Sequence, residues 1–210
     1  MSNNVEEKIL HGTTTVAIKV KEGVVLCADM RASAGYFIAN NNTMKIQKIE
    51  HHAGLTLAGG VADAQNIVDV LRYHANVYRI QNQEPIPIKS LSRLTSLMFH
   101  QNRGYPFIAD ILLGGYDNEG PQLFNIDMFG SVEEKNYVTT GSGSPVAYGL
   151  LEEEYKEDLS LDGAKLVALR AVKAAITRNI GTGDGINVAL IDKNGFRLLE
   201  NERKKAVLEI

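Results

Sequence analysis

The sequence is short of cysteine, of excess positive charge and of long apolar runs, and each shortage removes a class of protein. One cysteine in 210 residues cannot build a disulfide framework, which fits a reducing compartment. That cysteine, Cys27, lies inside the apolar run "GVVLCAD" and reads as core rather than as a nucleophile. Lysine and arginine number 22 against 25 acidic residues, a net charge of -3, so the basic footprint that nucleic-acid binding needs is missing. No run approaches the roughly 18 apolar residues of a membrane span. The leading "MSNNVEEKILHG" has neither the apolar centre of a signal peptide nor the acid-poor character of a transit peptide, so the expectation is a cytoplasmic protein. Also missing is the Lys-Ser/Thr ending of a nucleotide-binding phosphate loop.

What is present is the composition of an ordinary globular domain, 44% hydrophobic and 22% charged. In "TTTVAIKV", Val16, Ile18 and Val20 alternate with Thr15, Ala17 and Lys19 before "KEG" turns the chain into Val24 to Ala28, a first hairpin. A second strand pair is expected around Ile46 and Ile49 and from Leu55 to Ala58. From near Asp63, residues Ala64, Ile67, Val68, Leu71, Ala75 and Tyr78 recur at helical spacing. A second helix is expected from Ile88 to about His100, with Leu91, Leu94, Thr95 and Met98 inward and Pro87 in its first turn. Strands return in "FIADILLGGYD", "PQLFNIDMFG" and "NYVTTGSGS". Helices follow from Pro145 to about Tyr155, with Ser144 as N-cap, and from Leu161 to about Arg178, the latter with Leu166, Leu169, Ala171, Val172 and Ile176 as its apolar stripe. The hairpin "INVALID-KNG-FRLLE" closes the domain. Blocks of strands separated by helix pairs favour two packed sheets covered by helices over an alternating βαβ design.

The run "HGTTTVAIKV" places three threonines behind one glycine, Gly12, near the start of the chain. It reads as a β-propensity run. It also suits a specific chemistry. A threonine at a free amino terminus carries its own base, because an α-amine of unperturbed pKa about 7.7–8.0 is partly neutral at cellular pH and sits beside the hydroxyl. Cleavage between Gly12 and Thr13 would create that terminus.

Five stretches, "GTTTVAIKVKEGVVLCADMRAS", "MKIQKI", "LAGGVADAQ", "YVTTGSGSPVAYGLLEEEY" and "GTGDGINVALI", resemble in order and spacing the β-type subunits of the archaeal proteasome, from Thr13 to about Phe196. The resemblance implies an α+β fold of N-terminal nucleophile hydrolase type, a four-layer αββα sandwich. It implies a propeptide over residues 1–12 and a threonine peptidase domain over 13–210. It places the nucleophile at Thr13, an acidic partner at Asp29, the site lysine at Lys45, the oxyanion amide at Gly59 and the serine beside the terminal amine at Ser142. Each has a plainer reading: Lys45 as a solvated strand lysine, Asp29 as a turn carboxylate paired with Arg31, Gly59 as a turn glycine. Two positions depart from the pattern, Asn179 where aspartate is usual and Thr182 where serine is usual. Asn179 gives up a negative charge, which sets full catalytic power against a weakly active or structural role in a mixed β ring. The side-chain pocket implied beside Thr13 is lined by Ala32, Thr43, Leu57 and Val61, apolar and uncharged, with Leu57 at its floor.

The activity so implied is hydrolysis of unfolded polypeptide after hydrophobic residues, with no cofactor and no metal. The implied partners are α-type subunits, other β subunits in heptameric rings and a regulatory ATPase acting through the α ring, with neither nucleic acid nor membrane. A small-molecule amidase of the same fold class is the competing activity.

Overall fold

A computed structural model of the chain describes residues 12–199, so most of the leader, residues 1–11, and the last eleven residues lie outside the described part. Two five-stranded antiparallel sheets form its centre. The first holds β1 (Thr15–Val20), β2 (Gly23–Asp29), β10 (Tyr137–Thr140), β11 (Ile186–Asp192) and β12 (Gly195–Leu198), in the order β10-β1-β2-β11-β12. The second holds β5 (Ile46–Glu50), β6 (Ala53–Gly59), β7 (Ala109–Asp117), β8 (Gly120–Ile126) and β9 (Val132–Glu134), in chain order. A small hairpin, β3 (Ala32–Ala34) with β4 (Phe37–Asn40), stands apart from both. Four helices complete the described fold: α1 (Val61–Asn82), α2 (Ile88–Gln101), α3 (Ser144–Glu154) and α4 (Leu161–Arg178).

Three buried clusters correspond to the three seams of a four-layer stack. Val16, Ile18, Val25 and Cys27 of the first sheet pack against Ala164, Ala168, Ala171 and Val172 of α4. Leu55, Ile111 and Leu113 of the second sheet pack against Ile67, Leu71, Leu91 and Phe99 of α1 and α2. Ala17, Val24, Leu26 and Ala28 meet Leu112 and Leu123 between the sheets. Because side chains alternate along a strand, one strand feeds two seams, which is why β2 is buried at every residue and reads as an unbroken apolar run. The αββα sandwich expected from the block order is the observed fold.

Local details differ from the sequence reading. α1 begins at Val61, two residues earlier than expected, and Asp63 accepts from the Ile108 N–H rather than capping its own helix. Pro87 is the N-cap residue of α2, just outside the first turn, and the buried face of that helix is Ile88, Leu91, Ser92, Thr95, Ser96 and Phe99, with Leu94 and Met98 half-buried. Gly143, not Ser144, caps α3. Ser160 caps α4 by accepting from Gly163 N–H, and Leu166 points to solvent while Ala164, Ala168, Ala171 and Ala175 form the inward stripe. The β3–β4 hairpin carries no alternation between core and solvent that would mark it in the sequence: all of β4 is exposed. Among the described residues, no helix is long and apolar enough to cross a membrane.

Candidate active site

One end of the sheet sandwich gathers the start of β1, the end of β2, the approach to β5, the end of β6, the loop before α3 and the loop between α4 and β11. Backbone bonds tie these ends together. Asp29 N–H donates to Thr14 O at 3.1 Å, Met30 N–H to Gly183 O at 3.1 Å, Leu57 N–H to Lys45 O at 3.0 Å, and Gly143 N–H to Thr13 O at 3.2 Å.

The three threonines divide their tasks. Thr15 Oγ1 lies 2.7 Å from Thr140 Oγ1 and accepts from Thr56 at 3.1 Å, and Thr14 Oγ1 lies 2.7 Å from Thr182 Oγ1. Both hydroxyls are thereby committed to the packing of neighbouring strands and loops. Among the described residues, none hydrogen-bonds the Thr13 hydroxyl, and Thr13 lines a cavity of about 530 Å³ together with Lys45 and Gly59.

Asp29 is the hub beneath it. Its Oδ1 accepts from Lys45 Nζ at 2.6 Å and from Thr14 N–H at 2.9 Å, and its Oδ2 from Arg31 N–H at 3.1 Å and Gly183 N–H at 2.9 Å. Asp29 is fully buried and Lys45 nearly so. Burial pushes the Asp29 carboxyl up, against the pull of Lys45 and the backbone donors. Burial also draws the Lys45 ammonium below the ordinary lysine range, with Asp29 opposing that shift. Lys45 is therefore not a solvated strand lysine. Nor does Asp29 pair with the Arg31 side chain: that guanidinium holds Asp184 instead, at 2.8 and 3.1 Å, and donates to Ile180 O.

Ser142 stands on the other side of Thr13. It accepts from Thr13 N–H at 3.2 Å and donates to Asn179 Oδ1 at 3.0 Å, which leaves its one proton no second use toward Thr13 O at 3.4 Å. Asn179, the C-cap of α4, also takes Gly181 N–H at 3.0 Å and the Thr182 hydroxyl at 3.1 Å on its oxygen, while its amide nitrogen donates to Ser142 O at 2.9 Å. A backbone N–H can only donate and a carbonyl can only accept, so these two partners fix the orientation of the amide. An aspartate would turn an acceptor toward the Ser142 carbonyl. We expect Asn179→Asp to destabilise the fold by about 1–3 kcal/mol at pH 8. With the Ser142 carbonyl outweighing the three donors on the other oxygen, protonation restores a donor and the penalty shrinks as pH falls. Thermal unfolding of both proteins at pH 5 and pH 8 checks this, and a penalty independent of pH would contradict it.

Gly59 ends β6 with φ +121, and a Cβ there would fall 2.1 Å from Ile108 O, so only glycine holds this turn at the cavity wall. Of the expected pocket residues, Ala32, Thr43 and Leu57 line the cavity; Val61 opens α1, and its side chain lies outside the described part. The lining is not uncharged as expected. Gln65, Asp69 and Arg72 of α1 also face the cavity, beside Ala64 and Val68. Arg72 donates to Lys48 O and Gln47 Oε1 and lies 3.8 Å from Asp69. These positions follow helical spacing next to the buried stripe of α1, and that period was the signal available for finding them. Among the described residues, no group of three or more His, Cys, Asp or Glu side chains is placed to hold a metal ion.

A two-sheet antiparallel sandwich with helices on both faces is the fold of the N-terminal nucleophile hydrolase class, and here Thr13, just ahead of the first strand, shares a cavity with Lys45 of the buried Asp29–Lys45 pair. A family model described as proteasome subunit matches residues 9–191. The chain is 80% identical over 210 residues to proteasome subunit beta 2 of Nitrosopumilus maritimus (strain SCM1), and 81% identical over 210 residues to proteasome subunit beta 2 of Cenarchaeum symbiosum (strain A), covering 100% of both chains in each case. It is 46% identical over 198 residues to proteasome subunit beta 1 of Caldivirga maquilingensis, covering 93% of this chain and 96% of that one. The chain belongs to the proteasome subunit family and, within it, to the archaeal β subunits.

Proposed function

We propose that this β subunit is a threonine endopeptidase whose nucleophile is the Thr13 hydroxyl, freed when the leader of residues 1–12 is released. The observation that carries this reading is the convergence on Thr13 of a cavity, the buried Lys45–Asp29 pair and the Ser142 hydroxyl on its backbone nitrogen. In the released enzyme that nitrogen is an amine able to take the hydroxyl proton. Lys45 places positive charge near the oxygen as it becomes an alkoxide, and Asp29 holds the ammonium in place. The alkoxide attacks a peptide carbonyl, the Gly59 amide receives the oxyanion, and the departing amine takes the proton, leaving an ester on Thr13. Water then hydrolyses the ester and restores the hydroxyl. Ser142, oriented by Asn179, whose oxygen Thr182 also bonds, keeps the amine in register.

Asn179, whose oxygen accepts three bonds and whose nitrogen donates to the Ser142 carbonyl, supports an active subunit over a weakly active or structural one, since the neutral side chain holds Ser142 in place. The enzyme would work in heptameric β rings stacked on α-type rings in the cytoplasm, with a regulatory ATPase feeding unfolded chains through the α ring. A closed ring confines the nucleophile, and head-to-tail contacts close into rings when their rotation permits. Cleavage by the assembled ring of peptides longer than a few residues tests this reading. Cleavage of only small amides would favour the amidase alternative.

The inner cavity wall of Ala32, Leu57, Ala64 and Val68 supports cleavage after leucine, tyrosine or phenylalanine, with Asp69 and Arg72 at the α1 side. Exchanging Leu57 for glutamate should lower the leucine-to-arginine cleavage ratio by about a hundredfold, since a carboxylate there disfavours an apolar side chain and pairs with a cationic one. An unchanged ratio in an assembled ring would remove Leu57 from the pocket.

A further inference from the structure

Gly12 is described still joined to Thr13, and it is held. Its N–H donates to Ser33 Oγ at 2.8 Å in a buried bond, and the next N–H, that of Thr13, donates to Ser142 Oγ at 3.2 Å. The Gly12 carbonyl, whose carbon the Thr13 hydroxyl must reach for the leader to leave, lies between these two anchors.

The seat is closed to any side chain. A Cβ on Gly12 would fall 2.0 Å from Gly181 Cα and 2.5 Å from Gly181 O, and a Cβ on Gly181 would fall 2.3 Å from Gly12 Cα. These are backbone atoms, which cannot swing aside as the tip of a flexible side chain can. A substrate residue with a side chain must instead direct it into the cavity toward Leu57, so it cannot lie as Gly12 lies. The seats of leader and substrate are therefore different.

We propose that Ser33 and Gly181 form a seat used by the leader alone, with Ser33 as a positioning residue for self-release. The inference rests on the reading that Thr13 cleaves its own leader. In that step the Thr13 hydroxyl adds to the Gly12 carbonyl carbon, forming an ester to Thr13 Oγ as the Gly12–Thr13 C–N bond breaks and the nitrogen takes the proton. Water then hydrolyses the ester, releasing the leader with a Gly12 carboxylate and leaving the free Thr13 amine and hydroxyl. The nucleophile and the attacked carbon are neighbours on one backbone, so the ring that closes between them is small and depends on the rotation of the Gly12 peptide plane. The Thr13 N–H on Ser142 holds the Gly12–Thr13 plane itself, and the Gly12 N–H on Ser33 holds the plane before it, so the two bonds together set the rotation at Gly12. Geometry of this kind governs the rate of intramolecular attack.

The test follows leader release by intact mass in the full chain assembled with its α partner. Ser33→Ala should slow release about tenfold or more, because the Gly12 N–H loses a buried acceptor. Ser33→Thr, which keeps an oxygen, should stay within about threefold of wild type on the same reasoning. Once Ser33→Ala rings have released their leaders to completion, their peptide cleavage per free Thr13 terminus should lie within about twofold of wild type, since the substrate does not use this hydroxyl. Gly181→Ala, which drives a methyl into the Gly12 backbone, should slow release as well. A wild-type rate of release in Ser33→Ala or Gly181→Ala would overturn the seat and leave self-release standing. Peptide cleavage by fully processed Ser33→Ala rings falling as far as release does would also overturn it, by showing that Ser33 serves both reactions. A wild-type chain that keeps its leader would remove the reading beneath the inference, and the inference with it.

Discussion

Thr13→Ala is expected to abolish peptide hydrolysis and leader release together, because the proposed mechanism makes one hydroxyl the nucleophile of both. Removal of a nucleophile that works with its base as a unit costs about 10⁴-fold or more, leaving only what binding and oxyanion stabilisation supply. Thr13→Ser retains an oxygen at the same place and should keep both reactions. The fold should tolerate either change, since the neighbouring hydroxyls that bind strands and loops together belong to Thr14 and Thr15. Peptide cleavage by the assembled ring and intact mass of the subunit are the two readouts. If Thr13→Ala releases residues 1–12 with no active partner present, self-release is wrong.

The second large effect is expected at Lys45. Lys45→Ala should lower kcat by about 10²–10³, the usual cost of removing one group that stabilises developing negative charge. The substitution also costs stability. Lys45 Nζ lies 2.6 Å from a fully buried carboxylate, and removing one partner of such a pair typically costs about 3–5 kcal/mol. The backbone amides of Thr14, Arg31 and Gly183 still bond Asp29, so the loss should fall toward or below the lower end of that range. Lys45→Arg should rescue neither, because a planar guanidinium does not fit where a compact ammonium is packed. The pair also has a pH signature. Asp29 opposes the fall of the Lys45 ammonium below the ordinary lysine range, so Asp29→Asn should lower it further and move the alkaline limb of kcat/KM to lower pH. A limb that stays in place would mean that another group sets it.

The layers could be read from the sequence because each seam leaves a pattern. The continuous apolar run of β2 signals burial on both faces, and in β1 the alternation of Val16 and Ile18 with Ala17 shows how one strand serves two seams. The β3–β4 hairpin left no such pattern, since Tyr36 and Phe37 at its tip face outward. The site was legible only in part. Thr13 precedes β1, Asp29 ends β2 and Lys45 precedes β5, and nothing in their spacing predicts an ion pair; only the family resemblance put them together. No sequence rule shows that the Asn179 nitrogen meets a carbonyl, that Arg31 turns to Asp184, or that Gly12 and Gly181 touch, because those contacts arise where distant loops close on one another.

The most direct measurement of the central claim is the intact mass of the subunit purified from rings formed with its α partner, compared with that of Thr13→Ala rings prepared alike. A chain beginning at Thr13 in the first and a full leader in the second is the predicted result. A wild-type chain that keeps its leader yet cleaves long peptides as fast as any processed ring would contradict it, for the nucleophile would then lie elsewhere.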